Sequence, residues 1–391
     1  AYLAPPHPMA TATSPNTKAV VLSTAATSGI TCHAWNADFS KLALCPNNNE
    51  LHIYGKDASG AWQCEAQLGE HDMLISAVDW CHSTNSIVTC SHDRNAFVWS
   101  QIEEYGKVAW KPSLVILRID RSALDVKWSP NGRKFAAASG AKCVSVCSFE
   151  ASEDWWVSKM IKKHRSSVVS LAWHPNSQFL ATGATDFKCR VFSAYISDET
   201  GQPDPPEQSA FLGQTLAFGE PYAEFPQQGP ACGWVTAVAW SPSGESLAFA
   251  AQDSSIHVVN FTSGAPIECS LRLDDLPLNA LCFCSETGLI AGGHGFSPLA
   301  FTNGGNPSNW SKTGYLEIKS NAKAASAAPT SAAAQARAKF AAMTNKGTST
   351  SETKSASDNS WKKHQSAISC MRPFGASYTA PTFPAVSTTG M

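Results

Sequence analysis

The chain has 391 residues, 43% apolar and 10% aromatic, with 29 Lys and Arg against 31 Asp and Glu for a formal net charge of −2. That balance excludes a general nucleic-acid binder, which carries a basic excess. No run approaches the ~18 apolar residues of a membrane-spanning helix, so no membrane insertion is expected.

Residues 1–24 form an N-terminal extension. Its first part is rich in Pro, Thr and Ala and reads as irregular. It lacks the charged-then-apolar order of a secretory signal. Lys18 to Thr24 carries Val20, Val21 and Leu22 and is a candidate strand to close the last sheet of a ring. From Ile30 a motif recurs: a small or β-branched residue, a short interval, then an apolar pair ending in Trp. It appears as ITCHAW, ISAVDW, ALDVKW, VVSLAW and VTAVAW, ending at Trp35, Trp80, Trp128, Trp173 and Trp240. LNALCF, ending at Phe283, is a sixth copy, and ISCMRP, ending at Pro373, a weak seventh. The steps of 45, 48, 45, 67 and 43 residues match a four-stranded propeller blade of ~40–45 residues. The chain is therefore expected to be all-β, a seven-bladed β-propeller, with blades 1–6 over residues 25–319.

Within that span, strands are expected near 30–35, 41–45, 50–54 and 62–68 for blade 1, with blades 2 to 6 starting near 75, 123, 168, 235 and 278. Residues 197–233 are rich in Pro, Gly and Gln and read as a long surface loop hiding one strand at Gln214 to Phe218. Residues 320–363 are nearly free of large apolar side chains. Inside them the Ala-rich stretch 331–344 predicts a short helix inserted between blades 6 and 7, marginal on its own. Phe340 and Met343, three apart, share one face of it. Residues 364–391 supply a partial blade 7, with strands at His364–Pro373 and Ala385–Thr389. At Met391 it is short of the third strand the first repeats have.

His71, Thr89 or Ser91, Asp93 and Trp99 have the spacing of a buried hydrogen-bond tetrad, with Thr89 the chosen hydroxyl. His164, Thr182 and Asp186 repeat it in blade 4, with Phe192 in the Trp place, and blade 5 keeps only Asp253. A buried carboxylate needs such partners. Because the His-Asp pairs follow the blade period, and no GxSxG elbow is present, they are read as structural rather than catalytic. GGHGF at 292–296 has no helix behind it and is not a phosphate loop. No cofactor or metal site is expected. The thirteen cysteines include no CxxC pair, and they read as buried hydrophobes in a reducing compartment. The densest basic run is Lys159, Lys162, Lys163, His164 and Arg165. It is either a solvated loop or a patch for an acidic partner segment.

The stretches CHAWN (32–36), CPNNNELHIY (45–54), DRNAFVW (93–99), WKPSLVILRI (110–119), DWWV (154–157), DFKCRVFSAYI (186–196), CGWV (232–235) and STTGM (387–391) resemble the WD-repeat subunit of the seven-protein actin-related-protein complex that nucleates branched actin. The likeness runs from about residue 30 to the end and includes loops outside the repeat. It implies a non-catalytic scaffold subunit in the cytoplasmic actin cytoskeleton, at cortical actin patches. The implied partners are the small helical subunits of the complex, the actin filament and nucleation-promoting factors. It also implies a chain continuing past Met391. In that family a helix protruding between blades 6 and 7 contacts the mother filament. Lys339-Phe340 matches its basic-residue-then-Phe pattern, and its other positions are Ala here. The implied filament contacts are Arg337, Lys339, Phe340 and Met343. Two readings compete with this one. A generic WD adaptor such as a ubiquitin-ligase substrate receptor needs a recruiting box outside the ring. A propeller enzyme needs carboxylates or His gathered at the channel.

Overall fold

A computed structural model describes residues 29–104, 106–196, 216–227, 232–262, 265–317, 364, 366–374 and 385–389. Among these residues the regular structure is strand alone, in seven antiparallel sheets. Blade 1 is Cys32–Trp35 (β1), Lys41–Cys45 (β2), Leu51–Lys56 (β3) and Trp62–Leu68 (β4). Blade 2 is Ile75–Trp80 (β5), Ile87–Ser91 (β6), Asn95–Glu104 (β7) and Lys107–Ile116 (β8). Blade 3 is Ala123–Trp128 (β9), Lys134–Ser139 (β10), Val144–Glu150 (β11) and Trp155–Ile161 (β12). Blade 4 is Val168–Trp173 (β13), Phe179–Ala184 (β14), Lys188–Ser193 (β15) and Pro221–Pro226 (β16). Blade 5 is Val235–Trp240 (β17), Ser246–Ala251 (β18), Ser255–Asn260 (β19) and Ile267–Arg272 (β20). Blade 6 is Leu278–Ser285 (β21), Gly288–Gly293 (β22), Leu299–Thr302 (β23) and Ser311–Tyr315 (β24). Blade 7 shows Ile368–Pro373 (β25) and Ala385–Thr389 (β26). The first strands of all seven blades line one central channel of about 780 Å³.

Burial follows position in the blade. The second strands KFAAAS, FLATGA and SLAFAA are buried at every residue, whereas the outer strand IECSLR of blade 5 has no buried residue. Alanine is a poor strand former by preference. It is used here because the second strand lies in the narrow part of the wedge, covered by a blade on each side. A Cβ on Gly183 would meet Val235 Cγ1 at 2.9 Å, and one on Gly292 would meet Ile368 at 2.9 Å. These glycines admit the β-branched side chain of the next blade.

The hydrophobic core divides into one cluster per blade interface, and there are seven such clusters among the described residues. The seventh joins blade 7 to blade 1, where Phe374 packs on Trp35 at 4.9 Å and on Phe39 at 5.1 Å. The ring is therefore closed, which is how a propeller disposes of open sheet edges. Hydroxyls stitch the inner wall. Ser76 Oγ donates to the Ala123 carbonyl at 2.8 Å, Thr236 Oγ1 to Leu278 at 2.5 Å, and Ser369 Oγ to Thr31 at 2.9 Å across the seam.

Two sequence expectations change. The fourth strand of blade 4 is β16, not Gln214 to Phe218. Leu216 instead accepts a bond from Ser193 Oγ and packs into the blade 4–5 core, and alternation resumes only after the turn at Gly219. The first strand of blade 7 begins at Ile368 rather than His364. The candidate closing strand 18–24 and the candidate helix 331–344 lie outside the described residues.

Candidate functional site

The blade 2 tetrad is complete. Trp99 Nε1 donates to Thr89 Oγ1 at 3.0 Å, Thr89 Oγ1 lies 2.9 Å from His71 Nε2, and His71 Nδ1 lies 2.7 Å from Asp93 Oδ2. The one proton arrangement that satisfies every member has Thr89 donating to Nε2 and Nδ1–H donating to Asp93. Burial lowers the His71 pKa, and the Asp93 carboxylate opposes it. Ser91 is used elsewhere, donating to the Met73 carbonyl at 2.8 Å.

Blade 4 departs from the expected copy. His164 Nε2 meets Thr182 Oγ1 at 3.0 Å, but His164 Nδ1 has no hydrogen-bond partner among the described residues. Asp186 turns instead to the buried Arg190, 3.0 Å away, and to the Arg165 backbone N–H, also at 3.0 Å. The competing cation was Arg190, on the next strand. Burial, then the Arg190 charge, lower the His164 pKa to about 4. The unfolded chain, with His near 6.5, therefore binds more protons than the folded one between those values. Stability is fully present above pH 6.5 and falls as pH drops toward 4, by about 3 kcal/mol in all. Thermal unfolding at pH 7 and pH 5 is expected to show most of that loss, and His164→Gln to remove it. An equal pH response in the variant would contradict this assignment.

Blade 5 holds a network that the repeat pattern did not reveal. Ser255 Oγ lies 3.0 Å from His257 Nε2, and His257 Nδ1 lies 2.8 Å from Glu268 Oε1. The order Ser-His-Glu resembles a nucleophile with its base and orienting acid. Yet Ser255 is buried and directs its own proton to Asp253 Oδ1 at 2.5 Å, and the His257 ring is stacked on Phe249 at 4.6 Å. The hydroxyl is thus a donor within a structural chain.

Charged side chains also reach the channel wall. Arg372 of blade 7 pairs with Asp79 of blade 2 at 2.7 Å and donates to the Val78 carbonyl at 2.9 Å. Asp79 accepts the Trp128 N–H at 2.7 Å, and Asp125 accepts the Leu171 N–H at 2.8 Å while pairing with Lys127 at 3.1 Å. Each carboxylate is engaged in joining blades. No group of three or more metal-ligating side chains occurs among the described residues.

One ring face gathers positive charge. The blade-to-blade linkers and the turns between second and third strands emerge on the same side, as the bonds Gly140 N–Ser122 O and Thr185 N–Ser167 O show. On that side Arg118, Arg121, Lys142, Lys162, Lys163 and Arg165 are exposed, with Asp120 the one exposed acid in the same three segments. Lys163 lies 3.6 Å from Glu220, and the other five have no ion pair within 4 Å among the described residues. Lys159 is exposed on the outer strand β12 beside them, while His164 is buried. In five of these turns one residue is left-handed without being glycine: Arg94 (φ 75), Lys142 (φ 61), Phe187 (φ 65), Ser254 (φ 65) and Phe296 (φ 63). Glycine would relax that backbone, so each turn retains a side chain at a conformational cost. Arg337, Lys339, Phe340 and Met343 lie outside the described residues.

The WD domain, G-beta repeat family matches residues 62–100, 155–193 and 219–260. Each match runs from the outer strand of one blade through three strands of the next. The chain is similar to actin-related protein 2/3 complex subunit 1A-B of Xenopus laevis, 47% identical over 274 residues, covering 70% of this chain and 71% of that one. It is 40% identical to subunit 1B of the same complex from Arabidopsis thaliana over 350 residues, 88% of each chain. It is 39% identical to subunit 1 from Schizosaccharomyces pombe over 291 residues, 73% of each.

Proposed function

The chain belongs to the actin-related protein 2/3 complex subunit 1 family, and from that premise we propose that it is a non-catalytic scaffold whose basic ring face receives acidic segments of nucleation-promoting factors. The observation that carries this reading is the sector of six exposed cations against two exposed acids, Asp120 and the Glu220 beside Lys163. Such a field speeds encounter with an acidic segment and fixes its register. The exposed Phe187, one residue after the Asp186 that accepts the Arg165 N–H, adds an apolar anchor. The other ring surfaces hold the small helical subunits of the complex. The stretch 331–344 contacts the mother filament, with Arg337 and Lys339 facing acidic actin and Phe340 and Met343 buried on it. Burial of a side chain the size of Phe340 contributes about 1.5–3 kcal/mol. The site of action is the cortical actin patch.

Reconstituted complex carrying Lys162→Glu, Lys163→Glu and Arg165→Glu tests the face. Assembly is expected to be unchanged and affinity for an acidic activator segment to fall about tenfold at low salt, the gap closing as salt screens it. Unchanged affinity at low salt overturns the assignment. In the same assay Lys339→Ala with Phe340→Ala is expected to reduce branch density while leaving assembly and activator binding intact.

A further inference from the structure

The rim between blades 2 and 3 opens into a groove of about 890 Å³. Ser86 and Arg133 border it, so it lies where the β5–β6 and β9–β10 turns emerge, on the side of the ring opposite the basic face. One wall is aromatic. Phe149 of β11 stands opposite Trp156 of β12 in register, which puts both side chains on one face. The Trp156 ring packs on Phe149 at 5.4 Å and on Trp128 at 5.8 Å. Trp155 extends this wall and, like Phe149, is almost half exposed. The other wall is polar, with Ser100 and Lys111 of blade 2 paired in register. Two polar groups on this border are unsatisfied. Neither Trp128 Nε1 nor Ser148 Oγ has a hydrogen-bond partner among the described residues, although Trp128 is only 7% exposed. The matching indoles of the two flanking blades are satisfied: Trp80 Nε1 donates to Asn85 Oδ1 and Trp173 Nε1 to the Lys127 carbonyl, each at 2.9 Å. Trp35 and Trp240 also lack an acceptor, but neither borders this groove. A buried N–H without an acceptor is costly, and an incoming carbonyl relieves that cost.

We propose that this groove binds a proline-rich segment of a partner protein in the polyproline II conformation. That helix has no internal hydrogen bonds, so its carbonyls are free to accept from Trp128 and Ser148. Its proline rings lie flat against exposed indole and phenyl faces, as in other aromatic-lined grooves that take such segments. Its backbone is already fixed and loses little freedom on docking. Charge favours the same occupant. Lys111 and Arg133 on the border are matched by Glu150 and Asp154, and the buried Lys134 is held on the Ala194 carbonyl at 2.8 Å. A balanced border is complementary to an uncharged segment and gives an acidic one no preference. The rest of that face stays available to the helical subunits. This inference does not depend on the acidic-segment reading of the opposite face.

The test uses the chain in its assembled complex and a fluorescein-labelled ten-proline peptide, followed by anisotropy. Saturable binding is expected, half-complete below about 1 mM and little changed between about 50 and 300 mM salt. Phe149→Ala with Trp155→Ala, both on the surface, is expected to weaken it about fivefold while the complex assembles normally. Trp128→Phe keeps a ring and removes the N–H, and is expected to weaken it by a similar factor. Lys162→Glu, Lys163→Glu and Arg165→Glu on the opposite face are expected to leave it unchanged. Where the Trp128 variant fails to fold, the surface pair decides. No saturable binding up to about 1 mM, binding indifferent to the surface pair, or equal binding of a Gly-Ser peptide of the same length overturns the proposal. So does binding that appears only when residues 203–206 are deleted. The chain's own Pro-rich stretch, which starts seven residues after the groove-lining Ile196, would then be the occupant.

Discussion

Replacing Arg372 by Met is expected to lower the stability of the chain by about 3–5 kcal/mol, the cost of removing one partner from a largely buried ion pair. Arg372 and Asp79 are 19% and 11% exposed in their side chains, so little solvent is available to replace the lost charge. The Met side chain fills similar volume, and the loss is therefore electrostatic rather than a cavity. The guanidinium of blade 7 reaches past blade 1 to hold blade 2 at both Asp79 and the Val78 carbonyl. Its removal loosens the seam first. Amide exchange is expected to accelerate in β25 and β1 well before β13, on the far side of the ring, and the melting temperature to fall. An unchanged melting temperature would show that Asp79 finds another partner, and Lys127 would be the one to examine.

Thr89→Val is expected to cost about 2–5 kcal/mol, because the isosteric side chain strands two buried groups at once, each worth roughly 1–3 kcal/mol. Those groups are Trp99 Nε1 and His71 Nε2. Thr182→Val in blade 4 is the internal comparison. There Phe192 stands in the Trp place, and Thr182 serves His164 Nε2 and donates to the Arg190 carbonyl at 3.3 Å. The blade 4 cost is therefore expected to be clearly smaller, about 1–2 kcal/mol. Chemical denaturation of the two variants measures the difference, and equal losses would mean that the indole contributes nothing through Thr89.

The propeller could be read from the chain because the Trp-ended first strands recur at blade spacing and alternate cleanly. The second strands could not be read as strands by preference. KFAAAS and SLAFAA are Ala-rich, and only their place between two neighbouring blades explains them. The β16 position was missed because the Pro- and Gln-rich loop before it has no period, so nothing sets the register. The blade 2 tetrad was visible as spaced residue types, and the same spacing in blade 4 gave the His164–Thr182 contact but not the partner of Asp186. Spacing cannot say that Asp186 prefers Arg190 to His164. The Lys162–Arg165 run was visible as a local cluster. Arg118, Arg121 and Lys142 were not, since they join it only when linkers and turns of different strands reach the same face. The channel-wall pair Arg372–Asp79 is 293 residues apart in sequence and has no local signature at all.

The matched repeats begin at β4, β12 and β16 rather than at the first strand of a blade. Each unit of the sequence is thus shared between two sheets, like links in a chain rather than beads on a string. Pulling out any one unit would bare strand edges on both neighbours. Away from the blade 7–1 seam, no repeat can therefore leave the ring without opening two sheets at once.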